Sequence, residues 1–201
     1  MFKTLQNAWK IPDLRKKLIF TMLMLLIYRI GNVVPVPYID AETLALYFNN
    51  TLSNTILGLY DAMSGSAFSQ ASVLALGIQP YINASIIIQL LTIAIPALER
   101  WAKEEGEVGK KKIERLTRYS TVALGLLLGF AYYTMLRNYA SQGLSIITKD
   151  GVLPAIVIIL AFTAGSSIVM WMGEQITEFG IGNGISMILF ANIIAGLPPR
   201  R

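Results

Sequence analysis

Residues 152–172, VLPAIVIILAFTAGSSIVMWM, contain no charged side chain. That length matches the roughly 20 apolar residues an α-helix needs to cross the hydrocarbon of a bilayer. Comparable runs recur along the chain, separated by clusters of Lys and Arg or by turn-rich stretches. Such alternation indicates several membrane-crossing helices and not one soluble core. Only 14% of the 201 residues are charged, where a soluble domain carries about a quarter, and the mean hydropathy is +0.56. The expected fold is an all-α polytopic membrane protein with crossings at about 18–34, 77–98, 116–136, 152–172 and 183–197.

The first run follows Arg15, Lys16 and Lys17 and has the outline of a secretory signal. It leads into Arg29-Ile30-Gly31-Asn32 and a Pro35-Val36-Pro37 turn where a signal would carry a small-residue cleavage site, so a retained helix is expected. Lys and Arg set the orientation. Lys3, Lys10, Arg15, Lys16 and Lys17 precede the first helix, and Arg100, Lys103, Lys110, Lys111, Lys112, Arg115 and Arg118 separate the second from the third. Residues 35–66 carry only Asp40, Glu42 and Asp61. Both basic clusters are therefore expected on the cytoplasmic side, with residues 1–17 as a cytoplasmic N-terminal segment. Glu174 and Glu178 on that side, and Arg200 and Arg201 on the other, fit less well. The net charge of +5 follows from this asymmetry. A basic face attracts anionic headgroups or ribosomal RNA by the same phosphate chemistry, although a topology signal alone accounts for it.

The chain has no Cys and no His. That removes disulfides, thiolate metal sites, the cysteine nucleophile and the usual general base. Catalysis is a poor expectation, and neither a metal nor a cofactor is expected.

One stretch departs from a plain bundle. Residues 64–76 set Ser64, Ser66, Ser69, Gln70 and Ser72 among Ala, Phe, Val and Leu, directly before a helix that opens at Gly77. Irregular backbone at membrane depth is tolerated only when buried in protein or lining a wet cavity. The stretch therefore either lies at the outer interface, the simpler reading, or folds back as a re-entrant element on the Gly77-Ile78-Gln79-Pro80 hinge. Pro80 suits a first helical turn. In the helix that follows, Gln79, Asn83, Ser85, Gln89 and Thr92 alternate with isoleucines, as expected for a face turned to other helices or a cavity. Ile78 and Ile82 share one face, and so do Ile185 and Leu189. Gly180-Ile181-Gly182-Asn183-Gly184 has the wrong spacing for a dinucleotide fingerprint, and Asn183 reads as a helix N-cap. Gly125 and Gly129 form a G-x-x-x-G pair suited to close helix approach. Arg29 is expected to snorkel or to pair with a neighbour. These residues leave channel, transporter and structural subunit open.

Several strings resemble the SecY family. They are Tyr28-Arg29-Ile30-Gly31 with Pro35-Val36-Pro37, Ala75-Leu76-Gly77-Ile78-Gln79-Pro80-Tyr81-Ile82-Asn83-Ala84-Ser85-Ile86-Ile87, Trp171-Met172-Gly173-Glu174-Gln175-Ile176-Thr177-Glu178, and Gly180-Ile181-Gly182-Asn183-Gly184-Ile185-Ser186. They stand in the family's order and cover nearly the whole chain. The resemblance implies a passive protein-conducting channel of the bacterial inner membrane, with a cytoplasmic N-terminus. It implies that residues of about 60–74, among them Ser64, Gly65, Ser66, Phe68 and Gln70, form a short re-entrant plug helix. It further implies a pore ring of Ile78, Ile82, Ile185 and Leu189, with Leu189 replacing the more usual Ile. Ser85, Ile86 and Gln89 would lie along the lateral gate.

The same resemblance implies ten spans in two inverted halves, of which residues 18–201 would supply the first, with Leu197-Pro198-Pro199 opening the hinge to the second. Implied partners are the C-terminal half, SecE- and SecG-like small membrane subunits, a SecA motor or a ribosome, secretory preproteins with their signal sequences, and the lipid bilayer. Energy would come from a partner, since no G-x-x-x-x-G-K-[ST] loop is present. A secondary transporter or a structural membrane subunit is the alternative. A transporter normally sets ionisable groups near mid-membrane, and the interiors of the second to fifth helices lack Asp, Glu, Lys and His.

Overall fold

The computed structural model describes residues 2–196, and every regular element among them is helical. In chain order these are α1 (Phe2–Lys10), α2 (Pro12–Gly31), α3 (Ala41–Tyr47) with a π-helical turn (Phe48–Leu52), α4 (Ile56–Ser64), α5 (Gln79–Ala94), α6 (Pro96–Lys103), α7 (Gly106–Ser141), α8 (Val152–Phe179) and α9 (Gly184–Ala195).

Of the described helices, α7 and α8 are each long and apolar enough to cross a membrane. A third crossing exists if α5 and α6, bent by 104° at their junction, count as one broken span. The helix expected over 77–98 stops at Ala94 because Ile95 is extended before Pro96, and the ring of a proline clashes with helical backbone at the preceding residue. At 1.5 Å per residue α5 is about 24 Å long, shorter than a bilayer's hydrocarbon core. The first helix starts at Pro12 in place of 18, where a proline at the first turn and Asp13 behind it favour a start. α7 begins at Gly106 in place of 116, because Lys110–Arg115 are good helix formers that hydropathy does not register. α9 has 12 residues and opens on Asn183, whose Oδ1 accepts from the amides of Ile185 at 3.0 Å and Ser186 at 3.4 Å. Leu197, the expected end of the fifth span, the Leu197-Pro198-Pro199 hinge, Arg200 and Arg201 lie outside the described residues.

Contacts sort the loops into two ends. At one, the Phe20 ring meets that of Phe179 at 6.0 Å, the Ile181 amide donates to Thr21 Oγ1 at 3.1 Å, and Arg118 Nε donates to Glu174 Oε1 at 2.9 Å. The first half of α2, the basic first half of α7 and the end of α8 thus share this end. Glu174, an exception to the charge pattern, has its place there as the partner of Arg118. At the other end the Asp40 amide donates to Ile146 O at 2.7 Å and the Thr148 amide to Tyr38 O at 3.0 Å, joining the 32–55 and 142–151 connections.

Asp40 also caps α3. Its carboxylate accepts from the Thr43 hydroxyl at 2.7 Å and from the amides of Glu42 and Thr43. The Thr43 hydroxyl and then the Thr43 amide hold this carboxyl below its ordinary value of 3.8. A carboxyl depressed in the fold contributes stability that is complete above its unfolded value and lost as pH falls through its folded value. Amide exchange at Glu42 and Thr43 is therefore expected to show constant protection above about pH 4 and falling protection below it. Constant protection through that range would remove the cap.

Two apolar cores fill the bundle. One joins Val36, Leu44 and Phe48 to Tyr132, Leu136, Ile158 and Phe162. The other joins Met24 and Tyr28 of α2 to Val169, Met172 and Ile176 of α8 and Ile188 of α9. The polar stretch before α5 connects them, with Phe68, Ala71, Ala75 and Leu76 in the first core and Leu74 and Ile78 in the second. It is buried within protein, not spread along a surface.

The stretch also differs from the helix expected over 60–74. The helical part is α4, which ends at Ser64, and residues 65–78 form successive turns. Gly65 is left-handed at φ +68°, the usual way to end a helix. Ser66 at φ +68° and Ala71 at φ +47° are left-handed as well. The serines reinforce the turns. Ser64 Oγ accepts from the Phe68 amide at 3.1 Å and Ser72 Oγ from the Leu74 amide at 3.2 Å, local bonds that compete with a helical ladder.

Candidate functional site

Ile78 ends the turn-rich stretch immediately before α5, and Ile82 lies one turn into that helix. Ile185 and Leu189 lie one turn apart on α9. The fold brings all four into the second core, where Ile78 is buried and the other three are partly exposed. Gly173 of α8 makes the convergence possible. A Cβ built there would lie 3.6 Å from Ile78 Cδ1, 3.8 Å from Ile185 Cγ1 and 3.7 Å from Ile188 Cδ1. A second close approach sets the angle of α9, since a Cβ on Gly184 would fall 1.9 Å from the Gly173 carbonyl oxygen. The Gly184 amide there donates to Thr177 Oγ1 at 2.8 Å. The result is a patch of aliphatic side chains drawn from the beginning of α5, with its N-cap Ile78, and from the first turns of α9.

α4 and the turns after it pack beside this patch. Phe68 is buried in a run of rings, 4.6 Å from Tyr132, 5.0 Å from Tyr60 and 5.9 Å from Phe48, and the Tyr132 hydroxyl donates to the Phe68 carbonyl. Ser64 is buried, while Gly65, Ser66 and Gln70 are half-buried. Asp61 Oδ1 accepts from the Ser69 amide at 2.8 Å. Backbone bonds Val36 N to Ala71 O and Val73 N to Val34 O, at 3.1 and 2.9 Å, tie the stretch to the chain following α2.

The end of α4 carries the densest polar contacts. Asn192 Nδ2 donates to Met63 O at 2.8 Å and to the Tyr28 hydroxyl at 3.0 Å. Tyr28 OH and Asn32 Nδ2 each donate to Ser64 O at 3.4 Å, and Arg29 Nη1 to Gly65 O at 3.2 Å. The last carbonyls of a helix have no partner within it and form its negative pole. Here they are met by an arginine, a tyrosine and two amides. Arg29 is therefore paired. Asn192, Asn32, Tyr28 and Tyr132 carry roles that sequence reasoning did not assign them. The available signal for Asn192 was a lone amide inside the apolar run Ile188–Ile194.

Ser85, Ile86 and Gln89 line an open groove with Ile82, Asn183, Ile185 and Ser186, between α5 and the start of α9. Ile86 and Gln89 are exposed, so the groove lies open on this side of α5.

The family model described as SecY matches residues 72–201. The protein translocase subunit SecY of Bacillus subtilis is 44% identical over 204 residues, covering 98% of this chain and 44% of that protein. The subunit of the same name from Aquifex aeolicus is 40% identical, covering 98% of this chain and 46% of its own length. Among solved structures, one described as a protein conducting channel aligns with a TM-score of 0.61 at 19% identity, over 97% of this chain and 43% of that one. Sec61 in a canine ribosome-channel complex from the endoplasmic reticulum aligns with the same score, identity and coverage. At that identity the structures speak for the fold alone. The chain spans about half the length of the curated relatives it matches. On the family model and these relatives, the chain belongs to the SecY family and corresponds to its N-terminal half.

Proposed function

We propose that this chain forms one half of a passive protein-conducting channel, through which unfolded secretory chains cross the membrane and apolar segments pass sideways into lipid. The observation that carries this reading is the convergence of Ile78, Ile82, Ile185 and Leu189 from two helices beside a buried, non-helical stretch. A narrow apolar constriction dewets and so excludes ions, while flexible side chains can still close around a passing peptide. In this reading those four residues are the ring, and α4 with residues 65–76 is the plug that fills the space beyond it. The groove at Ser85, Ile86 and Gln89 is one wall of the gate.

The same reading takes α2, α5, α7, α8 and α9 as five crossings, with the end that holds Arg118 and the start of α2 in the cytoplasm of a bacterial inner membrane. The concentration of Lys and Arg at that end supports this orientation. The partners are the C-terminal half, which closes the ring and the gate, and small SecE- and SecG-like subunits. A SecA motor or a ribosome supplies the work, and the sequence offers no nucleotide-binding loop for doing so itself. The protein is not an enzyme in this scheme.

The chain's lack of cysteine makes the test direct. Single cysteines at Ile82, Ile185 and Leu189, with the second half supplied, are expected to crosslink to a stalled secretory chain. Cysteines at the exposed Leu127 and Leu160 are expected to stay silent. If the assembled protein translocates while all three ring positions stay silent, the constriction lies elsewhere. If it assembles and neither translocates nor crosslinks, the channel reading fails.

A further inference from the structure

We infer that Asn192 is a positioning residue that latches α4 to the ring-bearing helix, so that widening of the ring and release of α4 are a single event. This deepens the channel reading and rests on it. Three observations carry the inference. Asn192 is 1% exposed and stands on α9 at seven and three residues from Ile185 and Leu189, which places it on the helical face that carries those two. Its amide nitrogen is divided between Met63 O at the end of α4 and the Tyr28 hydroxyl of α2, at 2.8 and 3.0 Å. A Cβ built on Gly65 would lie 2.6 Å from Asn192 Oδ1 and 2.9 Å from Arg29 Nη1, so the turn ending α4 is seated directly between α9 and α2.

The contacts make a clasp with two jaws. α2 supplies Tyr28, Arg29 and Asn32, and α9 supplies Asn192; each jaw holds carbonyl groups that α4 cannot satisfy internally. α4 also leans on the first core through Leu57 and Tyr60, while Ile56 and Leu59 are exposed, so the clasp holds the C-terminal end that those two contacts leave free. A peptide that pushes Ile185 and Leu189 outward moves α9 as a rigid rod. That displacement withdraws Asn192 from Met63 O and from Tyr28, and one jaw of the clasp opens. Asn192 Oδ1 and Asn32 Oδ1 are both buried without a hydrogen-bond partner among the described residues. Buried unpaired acceptors disfavour the closed state, so the clasp is poised to open.

The experiment places a single cysteine at Ser66, half-buried in the turn beside the clasp, in the chain assembled with the second half in vesicles. The readout is its rate of modification by a membrane-impermeant maleimide added from the plug side. A net hydrogen bond within protein shifts an equilibrium by roughly two- to tenfold. Asn192→Leu, which keeps the volume and loses both bonds, is therefore expected to raise the idle rate by about tenfold. Tyr28→Phe, which removes one hydroxyl and keeps the ring in the core, is expected to raise it about threefold. Phe190→Ala on the exposed face of α9 is expected to leave it unchanged. An unchanged rate in both Asn192→Leu and Tyr28→Phe overturns the latch. Failure of the underlying reading looks different: a Ser66→Cys chain with Asn192 and Tyr28 intact whose rate is unaffected by a stalled secretory chain shows that α4 is not a plug, whatever the two variants do.

Discussion

Gly165→Ala is expected to lower the thermal unfolding midpoint of this chain by about 10 °C. A Cβ built on Gly165 would fall 1.8 Å from the carbonyl oxygen of Val73 and 2.7 Å from its carbon. Overpacking a core typically costs about 1–3 kcal/mol because side chains can shift to make room. Here both partners are backbone, one in the middle of α8 and the other in the turn-rich stretch. The peptide that carries the Val73 carbonyl cannot swing aside cheaply, since its N–H, that of Leu74, donates to Ser72 Oγ at 3.2 Å and the adjoining Val73 amide donates to Val34 O at 2.9 Å. The cost therefore belongs at or above the top of that range, about 3 kcal/mol, which over a chain of this size corresponds to a shift of roughly 6–12 °C. Gly196→Ala is the matched control, because its nearest contact would be at 3.5 Å and its φ of −84° suits any residue. Equal midpoints for Gly165→Ala and wild type would show that the stretch does not pack against α8 as described. Gly125→Ala should cost less, since the atom it meets, Ser166 Oγ at 2.9 Å, is the tip of a side chain.

The same contact shows why the fold was only partly legible in the sequence. Hydropathy locates the middles of α7 and α8 because their apolar runs exceed what anything but a crossing needs. It misplaces their ends, since the helices continue through the basic start of α7 at 106–115 and the end of α8 at 173–179, where hydropathy gives no signal. The composition of residues 64–76 marks them as unusual, and serine content is compatible with turns. Their burial, however, depends on a glycine almost a hundred residues later and on the Tyr132 hydroxyl reaching the Phe68 carbonyl. No local pattern encodes that pairing. For the ring, helical spacing shows that Ile78 with Ile82, and Ile185 with Leu189, share faces. That the two faces meet depends on Gly173 and Gly184 letting α5, α8 and α9 close together. Asn192 was visible as an isolated polar residue, but its partners on α2 and α4 were not.

The largest functional effect is expected from making the proposed ring polar, and the burial of its four members decides which to change. Ile78 is 2% exposed, and its Cδ1 packs at the surface of Gly173. An asparagine there would bury an amide without partners, at about 1–3 kcal/mol, in addition to the lost apolar contact. A defect in that variant would confound leakage with misfolding. Ile82, Ile185 and Leu189 are only partly buried at the edge of the same core, so a polar group there reaches water without unsatisfied bonds. The double variant Ile185→Asn, Leu189→Asn is therefore expected to fold, and to raise the ion conductance of the idle assembled channel at least tenfold. That change requires only about 1.4 kcal/mol off the barrier, a small fraction of what excluding water from an apolar constriction imposes on an ion. Ile185→Val with Leu189→Ile keeps the surface apolar and should remain sealed. Conductance measured across a planar bilayer separates the cases. An assembled double asparagine variant that conducts no more than wild type would mean that ions are stopped elsewhere, leaving α4 and residues 65–76 as the seal. In that event Asn192→Leu, which loosens the clasp without touching the ring, should leak more than the ring variant. If the ring is the barrier, the order reverses.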